Sequence, residues 1–336
     1  MKANTLALSC VCLLVLALPL SVLAAGGPGP NEPAVNQEAQ ASTTSTVGSV
    51  AATASAGAIS SRITTRTGSG GGGSGGSGGG QSGTGQSSGD TPAGIGVWAL
   101  GGVNFLDNIK PEGNYNGNLA TATVGMDKLF GSLLVGVGFG FEKLDLTTKY
   151  NEGKMLYDGF SIIPYVSYSI TNDLVADASF SYVWLDYTMK DTQTGVVYSD
   201  QMAANRMVTT AGLTQYLSMD KFLLSGRLGT MYLNEHQGSY QLNTSEYGKS
   251  GIYTWQGSLG LRGSYDMGAF KPFLGATYMH DFLKSGAKTT DMWGSDFDLG
   301  FSYNVTESFM LGLTGTYGLR ENMTKAGGML NIRYDF

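Results

Sequence analysis

From residue 93 to Phe336, apolar residues alternate with polar or small ones at a period of two. Leu133, Val135, Val137, Phe139 and Phe141 alternate with Leu134, Gly136, Gly138, Gly140 and Glu142. Phe297, Leu299, Phe301 and Tyr303 repeat the pattern, as do Phe309, Leu311, Leu313, Tyr317 and Leu319. Successive strand residues point to opposite faces, so each run predicts a β-strand with one greasy side and one polar or small side. Twelve such segments occur, near 94–106, 118–128, 132–145, 157–170, 174–188, 204–217, 222–234, 252–265, 270–283, 291–304, 308–320 and 326–336. Most exceed the roughly five or six residues usual in soluble sheets and suit a tilted crossing of a bilayer.

The connections follow a rhythm of their own. Tight turns at 129–131, 171–173, 218–221, 266–269 and 305–307 alternate with longer loops at 107–117, 146–156, 189–203, 235–251, 284–290 and 321–325. Alternating short and long connections, with an even strand count, predict a twelve-stranded antiparallel transmembrane β-barrel over 93–336. At the chain end, Leu330, Ile332, Tyr334 and Phe336 form an apolar stripe closed by a terminal aromatic, read as a barrel-assembly signal. Trp98, Tyr150, Tyr157, Tyr168, Tyr187, Tyr253, Tyr265 and Trp293 lie near strand ends, where an interfacial aromatic girdle is expected. The same phasing points Glu142, Asp177, Arg206, Arg227, Arg262, Asp296, Asp298, Arg320 and Arg333 inward as pore-lining charges. With both signs present in similar number, they are expected to pair across the lumen.

The chain before the barrel has another texture. Residues 1–25 carry Lys2, an apolar run from Val11 to Leu20 and a small-residue cleavage site at Ala24 and Ala25, so they read as a signal peptide. Both cysteines, Cys10 and Cys12, leave with it, which excludes disulfides and thiolate metal sites from the exported part. Residues 26–92 are Ala/Ser/Thr-rich and then Gly/Ser-rich, a composition that predicts disorder. Within them 47–66 has loosely helical spacing, although its small residues and glycines make a free helix unstable.

Composition narrows the function classes. Only 14% of residues are charged and the net charge is −6, leaving no electrostatic footprint for nucleic acid. The 51 glycines show no three-residue period, which excludes collagen. The two histidines, His236 beside Glu235 and His280 beside Asp281, have no zinc-motif spacing, and neighbours in a strand face opposite ways. The glycine tract lacks the following Lys-Ser/Thr of a phosphate loop. No catalytic residue, metal or cofactor is expected.

Val124-Gly125-Met126-Asp127-Lys128-Leu129, Ile163-Pro164-Tyr165-Val166-Ser167-Tyr168, Lys271-Pro272-Phe273-Leu274-Gly275-Ala276-Thr277-Tyr278 with His280-Asp281-Phe282, and the terminal Arg333-Tyr334-Asp335-Phe336 resemble the autotransporter β-domain family, the translocator of type V secretion. The resemblance implies a twelve-stranded barrel in the outer membrane of a Gram-negative bacterium, a passenger on the amino-terminal side and a helix threading the lumen. It implies a translocator or anchor, surrounded by outer-membrane lipid, served by the Sec translocon and the barrel-assembly machinery, and monomeric. Where the family carries a large folded passenger, this chain has only 26–92, a short passenger or lumen linker. Residues 47–66 are the candidate lumen helix: about twenty helical residues span roughly 30 Å. The glycine tract reaches roughly 25 Å as a coil, so a tail left in the periplasm stays open, and with it a porin-like channel. An adhesin using its outer loops is the third reading.

Overall fold

The computed structural model describes residues 43–53, 59, 94–109, 114–149, 152–193, 195–243, 245–285 and 292–336. The signal peptide with Ala24 and Ala25, most of 26–92, and Tyr150 lie outside the described residues. Fourteen strands follow in order: β1 (Ile95–Asn108), β2 (Tyr115–Phe130), β3 (Leu133–Thr148), β4 (Gly153–Ser169), β5 (Leu174–Gln193), β6 (Val196–Met219), β7 (Phe222–Gln237), β8 (Tyr240–Leu242), β9 (Ser245–Tyr247), β10 (Ser250–Tyr265), β11 (Phe270–Lys284), β12 (Trp293–Asn304), β13 (Phe309–Arg320) and β14 (Met323–Asp335). All but β8 and β9 form one closed antiparallel barrel, in which each wall strand pairs with the next and β14 returns to β1. Strands β8 and β9 make a separate small hairpin. The twelve wall strands match the twelve predicted segments.

The end that carries both barrel termini is closed by tight turns with local polar chemistry. The Thr171 hydroxyl accepts from the amides of Asp173 and Leu174, and the Thr306 hydroxyl accepts from Phe309 N. Gly131 sits at φ 59°, a left-handed value that a residue without Cβ adopts freely. The opposite, loop end differs from expectation. The segments predicted as loops at 146–156, 189–203 and 235–251 are largely strand: β5 and β6 run on in register to Gln193↔Val196, and 235–251 contains the β8–β9 hairpin.

The reason lies in the facing of side chains. Through most of the wall the apolar residues point outward, as Phe139, Phe141, Phe160 and Trp184 do, while the interior takes glycine, hydroxyls and paired charges. Phe141, Phe160 and Trp184 form one transverse row, paired Phe141↔Phe160 and Phe160↔Trp184. Beyond that row the phase inverts. Lys143, Asp145, Lys154, Asp158 and Asp186 face outward, and Leu144, Leu146, Met155, Tyr157, Leu185, Tyr187 and Met189 are buried inside. An apolar exterior with a polar interior is stable only in lipid, and the reverse only in water, so the row marks where the wall leaves the hydrocarbon. A period-two reading keyed to one phase stops there, although the strands continue.

Candidate functional site

The site is the lumen, and it is occupied. Residues 43–53 form a helix inside the barrel, with Thr43–Ala52 buried. Against the expected limits of 47–66, helix is already present at Thr43, and of the residues beyond Thr53 up to 66 only Ile59, also helical, is described. Over 43–53 the composition predicted coil. The side chains responsible for that expectation are the ones that fit a narrow bore, and burial against the wall supplies what helix propensity does not. Ser49 Oγ donates to Ser45 O at 2.8 Å and Thr53 Oγ1 to Ser49 O at 2.7 Å, so these hydroxyls bring no unmet polarity into the lumen.

Its direction is fixed by contacts at both ends. Ser45 Oγ lies 3.3 Å from Thr254 Oγ1 in the loop-end part of β10, and Lys284 Nζ donates to Thr46 Oγ1 at 3.2 Å. Val47, Val50 and Ala51 join the loop-end apolar cluster with Tyr157, Tyr187 and Met189. Ile59 sits at the tight-turn end among Trp98, Leu134, Ile163, Tyr165, Val175 and Tyr216. The amino end of the helix therefore faces the loop end, and the chain descends toward the end where β1 begins.

Three polar constructions line the bore. The first surrounds Arg206, which is 1% exposed: Nε donates to Glu235 Oε2 at 2.8 Å, and Nη1 to the Glu142 carboxylate at 3.1 and 3.2 Å. Tyr157 and Tyr187 donate to Glu142 and Glu235, each at 2.9 Å, and Gly48 of the helix lies against this cluster. The second is a relay near the tight-turn end, in which Trp98 Nε1 donates to Tyr165 Oη at 2.8 Å and Tyr165 donates to Asp127 Oδ2 at 2.7 Å. Gly136 makes room for it, since a Cβ there would come within 2.2 Å of the Tyr165 ring. The third lines a cavity of about 320 Å³ beside Val50 and Thr53 of the helix. There Arg227 grips both Asp177 oxygens at 2.8 Å, Lys325 pairs with Asp296 at 2.7 Å, Thr316 donates to Asp298 at 3.1 Å, and Arg262 stacks 3.7 Å from the Phe273 ring centre.

All nine charges phased inward from sequence have side chains on the interior face, and most meet a partner there. Glu142 joins Arg206, Asp177 joins Arg227, Arg320 pairs with Asp281 at 2.8 Å, and Arg333 pairs with Asp335. Sequence reasoning missed Glu235, Asp281, Lys325 and Asp127. Glu235 falls in the segment predicted as the loop 235–251, but it shares a face with Leu233, and one more residue on the predicted strand 222–234 reaches it. His236 is exposed and His280 packs on Phe282, away from buried Asp281. Among the described residues no group of three or more His, Cys, Asp or Glu side chains could hold a metal ion. Trp98, Tyr157 and Tyr187, expected in the outer girdle, are instead buried inside: Trp98 fills space left by Gly125 and Gly138, and both tyrosines lie beyond the phase inversion. Tyr168 and Trp293 are exposed on the outside. Leu330, Ile332, Tyr334 and Phe336 also face outward, on the strand that closes the barrel.

The autotransporter β-domain family model matches residues 97–324. No curated protein matches the chain in sequence. Among solved structures, the chain is similar to the translocator domain of the autotransporter NalP from Neisseria meningitidis, at 14% identity and TM-score 0.66, over 72% of this chain and 89% of that one. It is similar to the β-domain of the Bordetella autotransporter Brka at 14% identity and TM-score 0.63, over 72% and 100%. The transport unit of AIDA-I from Escherichia coli aligns at 16% identity and TM-score 0.56, over 74% and 92%. At these identities the likeness is one of fold.

Proposed function

Because the chain belongs to the autotransporter β-domain family, we propose that it is an outer-membrane translocator of a Gram-negative bacterium that passes the segment ahead of its barrel to the cell surface and then anchors it. One observation carries this reading: the lumen helix has its amino end at the loop end and Ile59 at the tight-turn end. A chain in that direction leads from the outside, down the bore, to the periplasmic side where β1 starts at Ile95. The glycine-rich tract 68–90 then has only to join two points on the same side of the membrane.

Once Ala24–Ala25 is cleaved after Sec export, the displayed portion is short, and 26–42 precedes the helix. The paired lumen charges hydrate the route, and the Arg206 cluster seats the helix through Gly48. The outward stripe Leu330, Ile332, Tyr334 and Phe336 is the surface offered to the barrel-assembly machinery, and one barrel suffices for the task. The work is transport and anchoring in lipid, without catalysis. An epitope inserted after Gly29 tests this. Protease added to sealed cells is expected to remove it; protection until the outer membrane is opened would refute export.

A further inference from the structure

Beyond the Phe141–Phe160–Trp184 row the wall encloses a chamber lined by Leu144, Leu146, Met155, Tyr157, Tyr187 and Met189. Left open, that surface would face water at apolar cost. The β8–β9 hairpin covers it. Tyr240, Leu242 and Tyr247 point inward and are buried, with the two tyrosine rings stacked 4.6 Å apart at 2°. Gln241 and Glu246 on the opposite face are exposed. The hairpin packs in one cluster with Val47, Val50 and Ala51 of the lumen helix.

Two of its backbone attachments sit on β6. Gly238 N donates to Ala203 O at 2.9 Å, and Gln241 N donates to Asp200 Oδ2 at 2.6 Å, both partners lying on β6. Each of its strands has three residues, too short to be stable alone. Gly238 and Gly248 bound it, and Gly248 has open space around it. With an apolar underside and a polar top, the hairpin covers the chamber as one small unit.

We propose that the β8–β9 hairpin is a lid: it closes the outer mouth over the seated helix and seals the remaining lumen, including the cavity beside Thr53, from the exterior. The inference rests on the helix being in the bore and not on what the tail does outside, so it can fail separately from the export reading.

The experiment is single-channel conductance of the full-length protein in planar bilayers, at fixed salt. Three forms are compared: wild type, a variant with 239–248 replaced by Gly-Ser-Gly, and Tyr240→Ser/Tyr247→Ser as a milder second variant. Folding of each is checked by gel-shift heat modifiability. Both variants are expected to conduct several-fold more than wild type. Conductance of both folded lid variants equal to wild type would overturn the proposal and leave closure to the helix alone. A rise in either folded variant supports it.

Discussion

Replacing Arg206 with Met is the perturbation with the largest expected effect on the barrel. The guanidinium is fully enclosed and answers two carboxylates, Glu235 at 2.8 Å and Glu142 at 3.1 Å, while Tyr157 and Tyr187 donate to the same two acids. Met replaces most of the volume but leaves two buried carboxylates facing each other across the vacated space. Removing one partner of a buried ion pair costs about 3–5 kcal/mol, because the charge left behind is uncompensated. For a barrel of this size that corresponds to a midpoint lower by roughly 6–20 °C. The assay is thermal unfolding in detergent, followed by loss of the fast-migrating folded band on gels. The triple variant Arg206→Met/Glu142→Gln/Glu235→Gln, which removes the orphaned charge, is expected to recover most of the loss, since neutral replacement of a buried ionic cluster is often tolerated. A single variant as stable as wild type, or a triple variant no better than the single, would refute the claim that charge compensation holds this part of the lumen.

Gly48→Ala adds a Cβ 3.5 Å from Leu233 Cδ1 and 3.6 Å from Arg206 Nε, ordinary contact distances, and Ala is favoured over Gly in a helix by about 1 kcal/mol. The helix should therefore seat more firmly, seen as slower hydrogen exchange of its amides; faster exchange would count against the seating described. Tyr165→Phe removes the hydroxyl linking Trp98 to Asp127 and is expected to cost about 1–3 kcal/mol in the same unfolding assay, with an altered Trp fluorescence spectrum. At the lid, the Gln241 amide and then that of Gln201 stabilise the exposed Asp200 carboxylate and hold its pKa below the ordinary carboxylate value. A depressed acid contributes its stabilisation above the ordinary value and loses it as pH falls through the lowered one. Protection of the Gln241 amide should thus persist at neutral pH and fade only in acid below the usual carboxylate range. Asp200→Asn should abolish that pH dependence.

The parts of this molecule readable from sequence are those where a single solvent dictates the side chains. Within the hydrocarbon the outward face must be apolar, so runs such as Leu133–Phe141 announce both strand and facing, and the inward charges follow from the same phase. Above the membrane the demand reverses, which is why Met189 reads as the start of a loop when it continues β5. The lumen helix was half legible: the spacing of Val47 and Val50 is helical, but its stability comes from partners such as Leu233 and Tyr187 on strands far away in sequence. Pairings such as Arg206 with Glu235 depend on register across the barrel, which no local pattern carries. The lid was hidden for a related reason, since its apolar residues, Tyr240, Leu242 and Tyr247, are few and sit in a stretch of turn-forming neighbours.

The central claim is that the lumen is threaded by 43–53 with its amino end toward the outside. Ser45→Cys combined with Thr254→Cys tests it directly, because the two hydroxyl oxygens are 3.3 Å apart, close enough for a disulfide after small adjustment. In cells, the pair is expected to cross-link spontaneously, while Ser45→Cys with Trp98→Cys, at the opposite end of the bore, does not. Absence of the first cross-link, or appearance of the second in its place, would contradict the threaded arrangement.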